Sequence, residues 1–203
     1  MKKIQIALLV ALVAPMSLFS QTTLTPVADT YVSKGVGTEI TGNKTRGSEK
    51  KLASYRNPAT KPVWWSVIYL KFDLKGLTSS LSNVKLKLYG KVEEVHGLDV
   101  FTTSFTSWSE ETLSFNNADA EVGIISTNPV ATLDVVASTT AQYYEWDVTE
   151  AVLVAIKKGE TMISFRVQDR YAVKNEKGAG IQAQFQSKES PYGKKPQMII
   201  QNK

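Results

Sequence analysis

The stretch KPVWWSVIYLKFDL, residues 61–74, sets two tryptophans side by side within a regular strand pattern. Neighbouring side chains of a β-strand point to opposite faces of its sheet, so residues two apart share a face. The even positions from Trp64 to Leu74 are nearly all apolar and predict a side that points into a core. The odd positions mix aromatic and charged side chains. Trp65 is therefore expected on the face that does not point into that core.

The same period of two recurs along the chain. It is clearest in NVKLKLYG, MISFRVQD and IQAQFQSKE, and shorter strands are predicted at residues 30–33, 98–103, 143–148 and 197–201. Gly, Asn, Ser and Pro separate these segments, and a single short run, AVLVAIKKG at 151–159, has a helical pattern. Many short strands with one polar face predict an all-β fold, an antiparallel β-sandwich.

The first twenty residues are typical of a secretory signal peptide. Lys2 and Lys3 precede a short apolar run, and small residues follow at Ser17 and Ser20. The run is too short for a typical spanning helix, so an uncleaved anchor is the less favoured alternative. We expect cleavage between Ser20 and Gln21, a secreted protein, and one domain at residues 21–203 with no membrane insertion.

The composition excludes several kinds of site. The chain has no cysteine and one histidine, so it has neither disulfides nor a Cys/His metal cluster. A Ser-His-Asp triad would depend on His96 alone, and no motif surrounds it, so we expect an exposed turn histidine. The adjacent acids Glu110 and Glu111 are typical of solvated charge. The formal net charge of +5 does not by itself indicate a nucleic-acid partner, and none is expected.

Outward-facing aromatic, amide and basic side chains form the main candidate binding surface. Residues 163–169 and 181–187 are predicted to pair across the loop RYAVKNEKGAG, which would merge their polar faces. Aromatic rings, amides and guanidinium groups together suit a sugar polymer, especially an acidic one. The alternative is that these are ordinary solvent-facing strand residues. The candidates are Trp65, Tyr69, Lys71, Arg166, Gln168, Arg170, Gln182, Gln184 and Gln186.

Two questions about this surface stay open in the sequence. Trp65 is either a stacking platform on the polar face or a residue buried under the long 34–50 loop. That loop is rich in glycine and basic residues, and loops of its length are often functional. Arg46 and Arg56 make the loop and its flank a second candidate for binding the polymer.

Five motifs in order resemble the DNRLRE-type domains, the carbohydrate-binding modules of family 96. They are ADTYV (28–32), YLKFDLKGL (69–77), SWSEETLSFNNA (107–118), YEWDVTEAV (144–152) and the closing FQSKES with KPQMII. The resemblance covers nearly all of residues 21–203. It implies a secreted β-sandwich of jelly-roll type that binds alginate or related polymers, often beside polysaccharide-degrading enzymes. The basic segment that follows the opening motif departs from the family's usual Asn- and Gly-rich pattern.

The resemblance also implies a structural ion. Jelly-roll modules often keep a calcium ion away from the sugar, and Asp29 and Glu189 match acids of the family. Hard oxygen ligands suit Ca²⁺. A capping or salt-bridge role for each acid is the alternative.

These observations lead to one function and two alternatives. We expect a secreted, non-catalytic protein that binds polysaccharide, with an anionic polymer as partner. A small polysaccharide lyase is the first alternative, since uronate lyases need a base, an acid and a group that neutralises the carboxylate. Its residues would come from Tyr69, Tyr143, Tyr171, His96 and Arg166. A structural or adhesive surface protein is the second.

Overall fold

The computed structural model describes residues 21–35, 41–57, 64–170 and 182–203. The predicted signal peptide, Tyr171 and part of the 34–50 loop lie outside these residues. In chain order the described elements are β1 (Gln21–Leu24), β2 (Ala28–Lys34), β3 (Lys51–Asn57), β4 (Trp64–Asp73), β5 (Leu81–Val92), β6 (His96–Thr102), α1 (Ala118–Val122), β7 (Ala131–Val135), β8 (Ser138–Asp147), α2 (Thr149–Lys157), β9 (Met162–Asp169), β10 (Ala183–Gln186) and β11 (Gln197–Asn202).

All strand pairs are antiparallel, and they form two layers. Sheet I contains β2, β4, β9, β6 and β7, and sheet II contains β1, β11, β5, β8 and β10. Strand β3 belongs to both, because residues 51–54 pair with β10 while residues 55–57 pair with β4. The predicted all-β antiparallel sandwich is confirmed.

The main core lies between the two sheets. Ile68, Leu70 and Phe72 of β4 face Leu86 and Leu88 of β5, and all five are fully buried. These are the apolar positions that the period of two predicted for β4 and β5. The indole nitrogen of Trp146 also donates to the carbonyl of Leu98 at 3.1 Å, which ties sheet II to sheet I.

The strand predictions were correct for β2, β4, β5, β6, β8, β9, β10 and β11, with shifts of a few residues at the ends. Strands β1, β3 and β7 and helix α1 were not predicted. β1 and β7 are short edge strands, whose positions depend on their neighbours more than on their own pattern. None of the helices in the described ranges is long and apolar enough to cross a membrane.

Residues 103–126, which we call the covering segment, lie on the outer face of sheet I. Trp108 and Leu113 of this segment form a second, smaller core with Val32, Val67 and Tyr69 of the sheet. The indole nitrogen of Trp108 donates to Ser164 Oγ at 2.8 Å. Strands β2 and β4 of sheet I are therefore largely buried on both faces, which a strict alternation of apolar and polar residues did not predict.

Gly90 marks the place where β5 changes partners from β11 to β10. A Cβ at this position would lie 2.0 Å from the Gln184 carbonyl oxygen and 2.7 Å from the Phe185 Cα. Both atoms belong to the backbone of β10, so neither can move away without breaking the sheet.

Gly90→Ala is expected to lower the free energy of unfolding by about 1–3 kcal/mol, the usual range for overpacking. Chemical denaturation should measure the loss, with the exposed neighbour Lys91→Ala as control at about 0.5 kcal/mol or less. Equal stability of Gly90→Ala and wild type would contradict the close approach of β10.

Candidate functional site

The outer face of β4 does not form the open aromatic platform that was predicted. Tyr69 is 1% exposed and packs edge-on against Trp108, with ring centroids 6.2 Å apart. Burial raises the pKa of its hydroxyl to about 12. The prediction of Tyr69 as an exposed stacking residue is wrong, because the covering segment fills the space above it.

Lys71 has a structural contact instead of a free ammonium group. Its Nζ donates to the carbonyl oxygens of Trp108 at 2.6 Å and Thr106 at 3.0 Å. It also lies 4.7 Å from the centre of the Trp108 ring, and burial lowers its pKa. Lys71 thus holds the covering segment to β4 and is not available to a polymer.

Trp65 lies at the edge of this cover. Its ring is half-buried and packs against Phe115 of the covering segment, with centroids 5.7 Å apart. The alternative was burial of Trp65 under loop 34–50; within the described residues, Phe115 of the covering segment packs against it, and residues 36–40 of the loop lie outside the described part of the chain. Its indole nitrogen is buried and has no hydrogen-bond partner within the described ranges.

A pocket of about 210 Å³ opens beside Trp65. We call it the Trp65–Arg166 pocket. It brings together three of the predicted residues, Trp65, Tyr69 and Arg166, and adds Lys34 and Asp119. Its full lining is Val32, Lys34, Trp65, Val67, Tyr69, Phe115, Ala118, Asp119 and Arg166.

Arg166 is the unusual charge in this pocket. Its side chain comes from β9 beside Tyr69, the residue is 9% exposed, and its guanidinium carbon lies 5.9 Å from the Trp65 ring centre. The Nε atom is buried without a partner, and the described residues form no ion pair with it. Lys34 adds a second positive charge, with its Nζ 4.6 Å from the Phe115 ring centre. A buried guanidinium without a carboxylate partner favours an anion in the pocket.

The other predicted residues of β9 lie further along the strand. Arg170, which follows the end of β9, donates to both carboxylate oxygens of Asp99 and pairs with Asp134 at 3.3 Å, so it ties the end of β9 to β6 and β7. Gln168 lies between Arg166 and Arg170, with its Oε1 buried and unpartnered within the described chain. Arg170 therefore has a structural role in place of the predicted ligand contact.

The expected pairing of residues 163–169 with residues 181–187 is wrong. Strand β9 pairs with β4 and β6 in sheet I, whereas β10 pairs with β3 and β5 in sheet II. Gln184 is exposed on the outer face of sheet II, and Gln186 Oε1 accepts from Ser190. Gln182 donates to Ser66 Oγ at 3.3 Å. The three glutamines thus do not extend the Arg166 face.

The two arginines of the second candidate have different surroundings. Arg46 forms an ion pair with Glu49 at 2.5 Å and donates hydrogen bonds to the hydroxyls of Ser33 and Tyr31. Its guanidinium is therefore used in contacts within the protein. Arg56 is exposed, and its guanidinium carbon lies 5.6 Å from the Trp65 ring centre. Arg56 therefore lies near Trp65, but it does not line the Trp65–Arg166 pocket.

His96 is not the exposed turn histidine that was expected. It is fully buried at the start of β6, and its Nδ1 lies 2.7 Å from Asp169 Oδ2. Burial raises the pKa of the Asp169 carboxyl. A residue so enclosed has no route to a polymer, which weakens the lyase interpretation.

Three carboxylates come together at a second place on the covering segment, away from the Trp65–Arg166 pocket. Asp29, Glu110 and Glu189 each offer an oxygen within 4.8 Å of the others. The two predicted acids, Asp29 and Glu189, do come together, and Glu110 was missed. Its position in the pair Glu110-Glu111 was noticed in the sequence, but only the fold brings the covering segment to β2.

Hydrogen bonds fix this cluster but leave two oxygens unused. The backbone N–H of Asp29 donates to Glu110 at 2.9 Å, and that of Lys188 donates to Asp29 at 2.8 Å. The Lys188 ammonium group pairs with Glu110 and Glu189. Asp29 Oδ1 and Glu189 Oε2 are buried, and no described residue gives either of them a hydrogen bond. Because Asp29 is 1% exposed, burial raises the pKa of its carboxyl to about 8, and the charges of Glu189 and Glu110 act in the same direction.

The sequence of the whole domain matches a known protein family. The profile of carbohydrate-binding module family 96 matches residues 20–202, nearly the whole chain. The chain belongs to this family, which confirms the resemblance and supports a carbohydrate-binding role. A search of curated proteins found no match.

The raised pKa of Asp29 makes a prediction for stability against pH. The folded protein retains this proton up to about pH 8, while an unfolded aspartate loses it near pH 4. The folded state therefore binds more protons between these values, and stability falls as the pH rises through the window. In chelator, Asp29→Asn should melt above wild type at pH 8.5, and the difference should shrink towards pH 5.

Asp147→Asn is the control, because the pKa shift of Asp147 has the opposite direction to that of Asp29. The hydrogen bonds from Thr149 lower the pKa of Asp147 to about 2, so its charged form stabilises the fold and that contribution is lost as the pH falls from about 4 to 2. This variant should melt below wild type at neutral pH. A melting difference for Asp29→Asn that does not change with pH would contradict the buried proton.

Proposed function

We propose that this carbohydrate-binding protein holds an anionic polysaccharide, a uronate polymer such as alginate, and does not cleave it. The observation that carries the proposal is the guanidinium of Arg166, buried against Trp65 with no acidic partner among the described residues. Removing one partner of a buried ion pair typically costs ~3–5 kcal/mol, because a buried charge is left uncompensated. A uronate carboxylate would supply that partner in bidentate geometry.

The size and lining of the pocket suggest how the sugar is held. At about 210 Å³ it is smaller than the ~300–1,000 Å³ of typical sites for drug-sized ligands, so it suits a single sugar ring. The ring would lie along the apolar sides of Trp65 and Phe115, with its carboxylate towards Arg166 and Lys34. Asp119, at the rim, can accept a hydrogen bond from a sugar hydroxyl.

The lyase alternative has weaker support from the same geometry. Of its described candidates, His96 and Tyr69 are buried, and the pKa of Tyr69 is raised to about 12, far from the value that suits a base. Tyr143 lies on sheet II, whereas Arg166 lies on sheet I. An adhesive role without sugar specificity remains the second alternative, and it would leave the charge of Arg166 unexplained.

We also propose export of the protein, supported by the basic start and the short apolar run of residues 1–20. In that location it would act beside a polysaccharide-degrading enzyme system and bring such enzymes to their substrate.

A structural Ca²⁺ ion is the further part of this proposal. The cluster of Asp29, Glu110 and Glu189 offers hard oxygen ligands, and two of its buried oxygens have no hydrogen-bond partner in the described part of the chain. Even with Asp29 protonated, the two glutamates outnumber the single Lys188 ammonium, and this net negative charge favours a cation. Lys188 is 22% exposed at its side chain and can turn outward as the ion enters.

Binding of uronate oligosaccharides, measured by calorimetry, tests the pocket. Arg166→Gln should weaken binding about 10- to 100-fold, since hydrogen bonds to charged groups contribute ~1.5–3 kcal/mol. It should also reduce the dependence of affinity on salt. Trp65→Ala should weaken binding about fivefold, for an aromatic contact of ~1 kcal/mol, and leave the salt dependence unchanged.

Lys157→Gln, an exposed change of the same charge on α2, should bind as wild type does. Thermal melting confirms that each variant is folded. Arg166→Gln with wild-type affinity would exclude the pocket, and unsaturated product from uronate polymers would favour the lyase.

Chelation tests the ion. Excess chelator should lower the melting temperature, and added Ca²⁺ should restore it, because a ligand that binds only the folded state stabilises it. Lys188→Met should make the response to Ca²⁺ larger, since the competing ammonium is gone. If neither protein responds to chelator or Ca²⁺, Lys188 itself is the cation of this cluster.

A further inference from the structure

The outer face of sheet II carries a second group of aromatic and basic side chains. Tyr89 of β5 lies opposite Tyr143 of β8, with ring centroids 5.0 Å apart and both rings half-exposed. The Lys194 ammonium lies 5.7 Å and 5.9 Å from the two ring centres. These rings therefore form an aromatic surface with a positive charge above it.

A shallow groove of about 270 Å³ continues this surface across β10. Gln184 is exposed along it, and Tyr192, 76% exposed, stands at its edge. Gly90 lets β10 approach β5 closely, so no side chain rises from that point of β5. Unlike the enclosed Trp65–Arg166 pocket, the groove is open and can hold a chain that runs through it.

The charge of this face is positive after its own ion pairs are counted. Lys85, Lys87 and Lys91 pair with Asp147, Glu145 and Glu93. Four exposed lysines remain without an acidic partner in the described part of the chain. They are Lys50, Lys51, Lys194 and Lys195. An acidic ligand is the partner that this charge complements.

We propose that this face, the sheet II platform, is a second binding surface that takes a stretch of acidic polysaccharide in mid-chain. The inference rests on the proposed function, because both surfaces would bind the same polymer. The pocket opens on the outer face of sheet I and the platform on that of sheet II. One protein molecule can therefore hold two chains, or two segments of one chain with the gain of a linked second contact.

A bridging assay tests this arrangement. An acidic polysaccharide such as alginate is fixed to a plate, the protein is bound, and fluorescent soluble polymer is added at a protein concentration where sedimentation shows a monomer. Wild type should retain the label. The platform variant Tyr192→Ala/Lys194→Gln/Lys195→Gln, exposed at all three positions, should bind the plate through the pocket and retain at least tenfold less label.

The matched variants separate the two surfaces. Arg166→Gln should likewise lose bridging while the platform still binds polymer, and the combination of both sets should lose both. Lys75→Gln/Lys157→Gln, which removes two exposed charges elsewhere, should bridge as wild type does. Full bridging by the platform variant would overturn the second surface alone. Failure of wild type to bind any acidic polymer would overturn the proposed function and the platform with it.

Discussion

The contact of the Lys71 ammonium group with the carbonyl oxygens of Thr106 and Trp108 holds the covering segment on sheet I. Much of the site depends on this attachment. The covering segment supplies Phe115 and Asp119 to the pocket on one side and Glu110 to the carboxylate cluster on the other. The Trp108 ring of the covering segment packs in the second core, and it buries Tyr69 on the outer face of sheet I. A basic residue in a strand thus serves to position an otherwise irregular segment.

The covering segment also contributes to burying the charge of Arg166. It removes Arg166 from most of the solvent without giving it an acidic partner in the described residues, whereas the nearby Arg170 is paired with Asp99 and Asp134. Arg166 lies on β9, and Arg170 follows the end of that strand, four residues further along the chain. Arg170 is neutralised and Arg166 is not, and this contrast is why the proposed anionic ligand is placed at Arg166.

The carboxylate cluster connects the two faces of the sandwich. Lys188 and Glu189 belong to the turn region that leads to Tyr192 and Lys194, and the N–H and hydroxyl of Ser187 bond to the carbonyls of Lys50 and Glu49. A cation in the cluster, whether Lys188 or a metal, would therefore hold the start of this turn against the covering segment. The cluster thus joins the covering segment, which lines the Trp65–Arg166 pocket, to the turn that leads to the sheet II platform.

The sequence alone determined the all-β class and the core-facing positions of the main strands, because the period of two needs only local information. The apolar positions of β4, β5 and β9 identified the main core, and the order of five motifs identified the family. The sequence also identified Trp65 and Arg166 of the pocket and Asp29 and Glu189 of the carboxylate cluster as candidates. Only the tertiary structure decided which of these residues meet. Whether Tyr69 and Lys71 face solvent depends on residues 103–126, and whether Gln184 joins Arg166 depends on sheet assignment, so no local pattern contains the answer. The second acid partner, Glu110, comes from a segment 81 residues from Asp29, a separation that folding closes and that spacing in the chain cannot reveal.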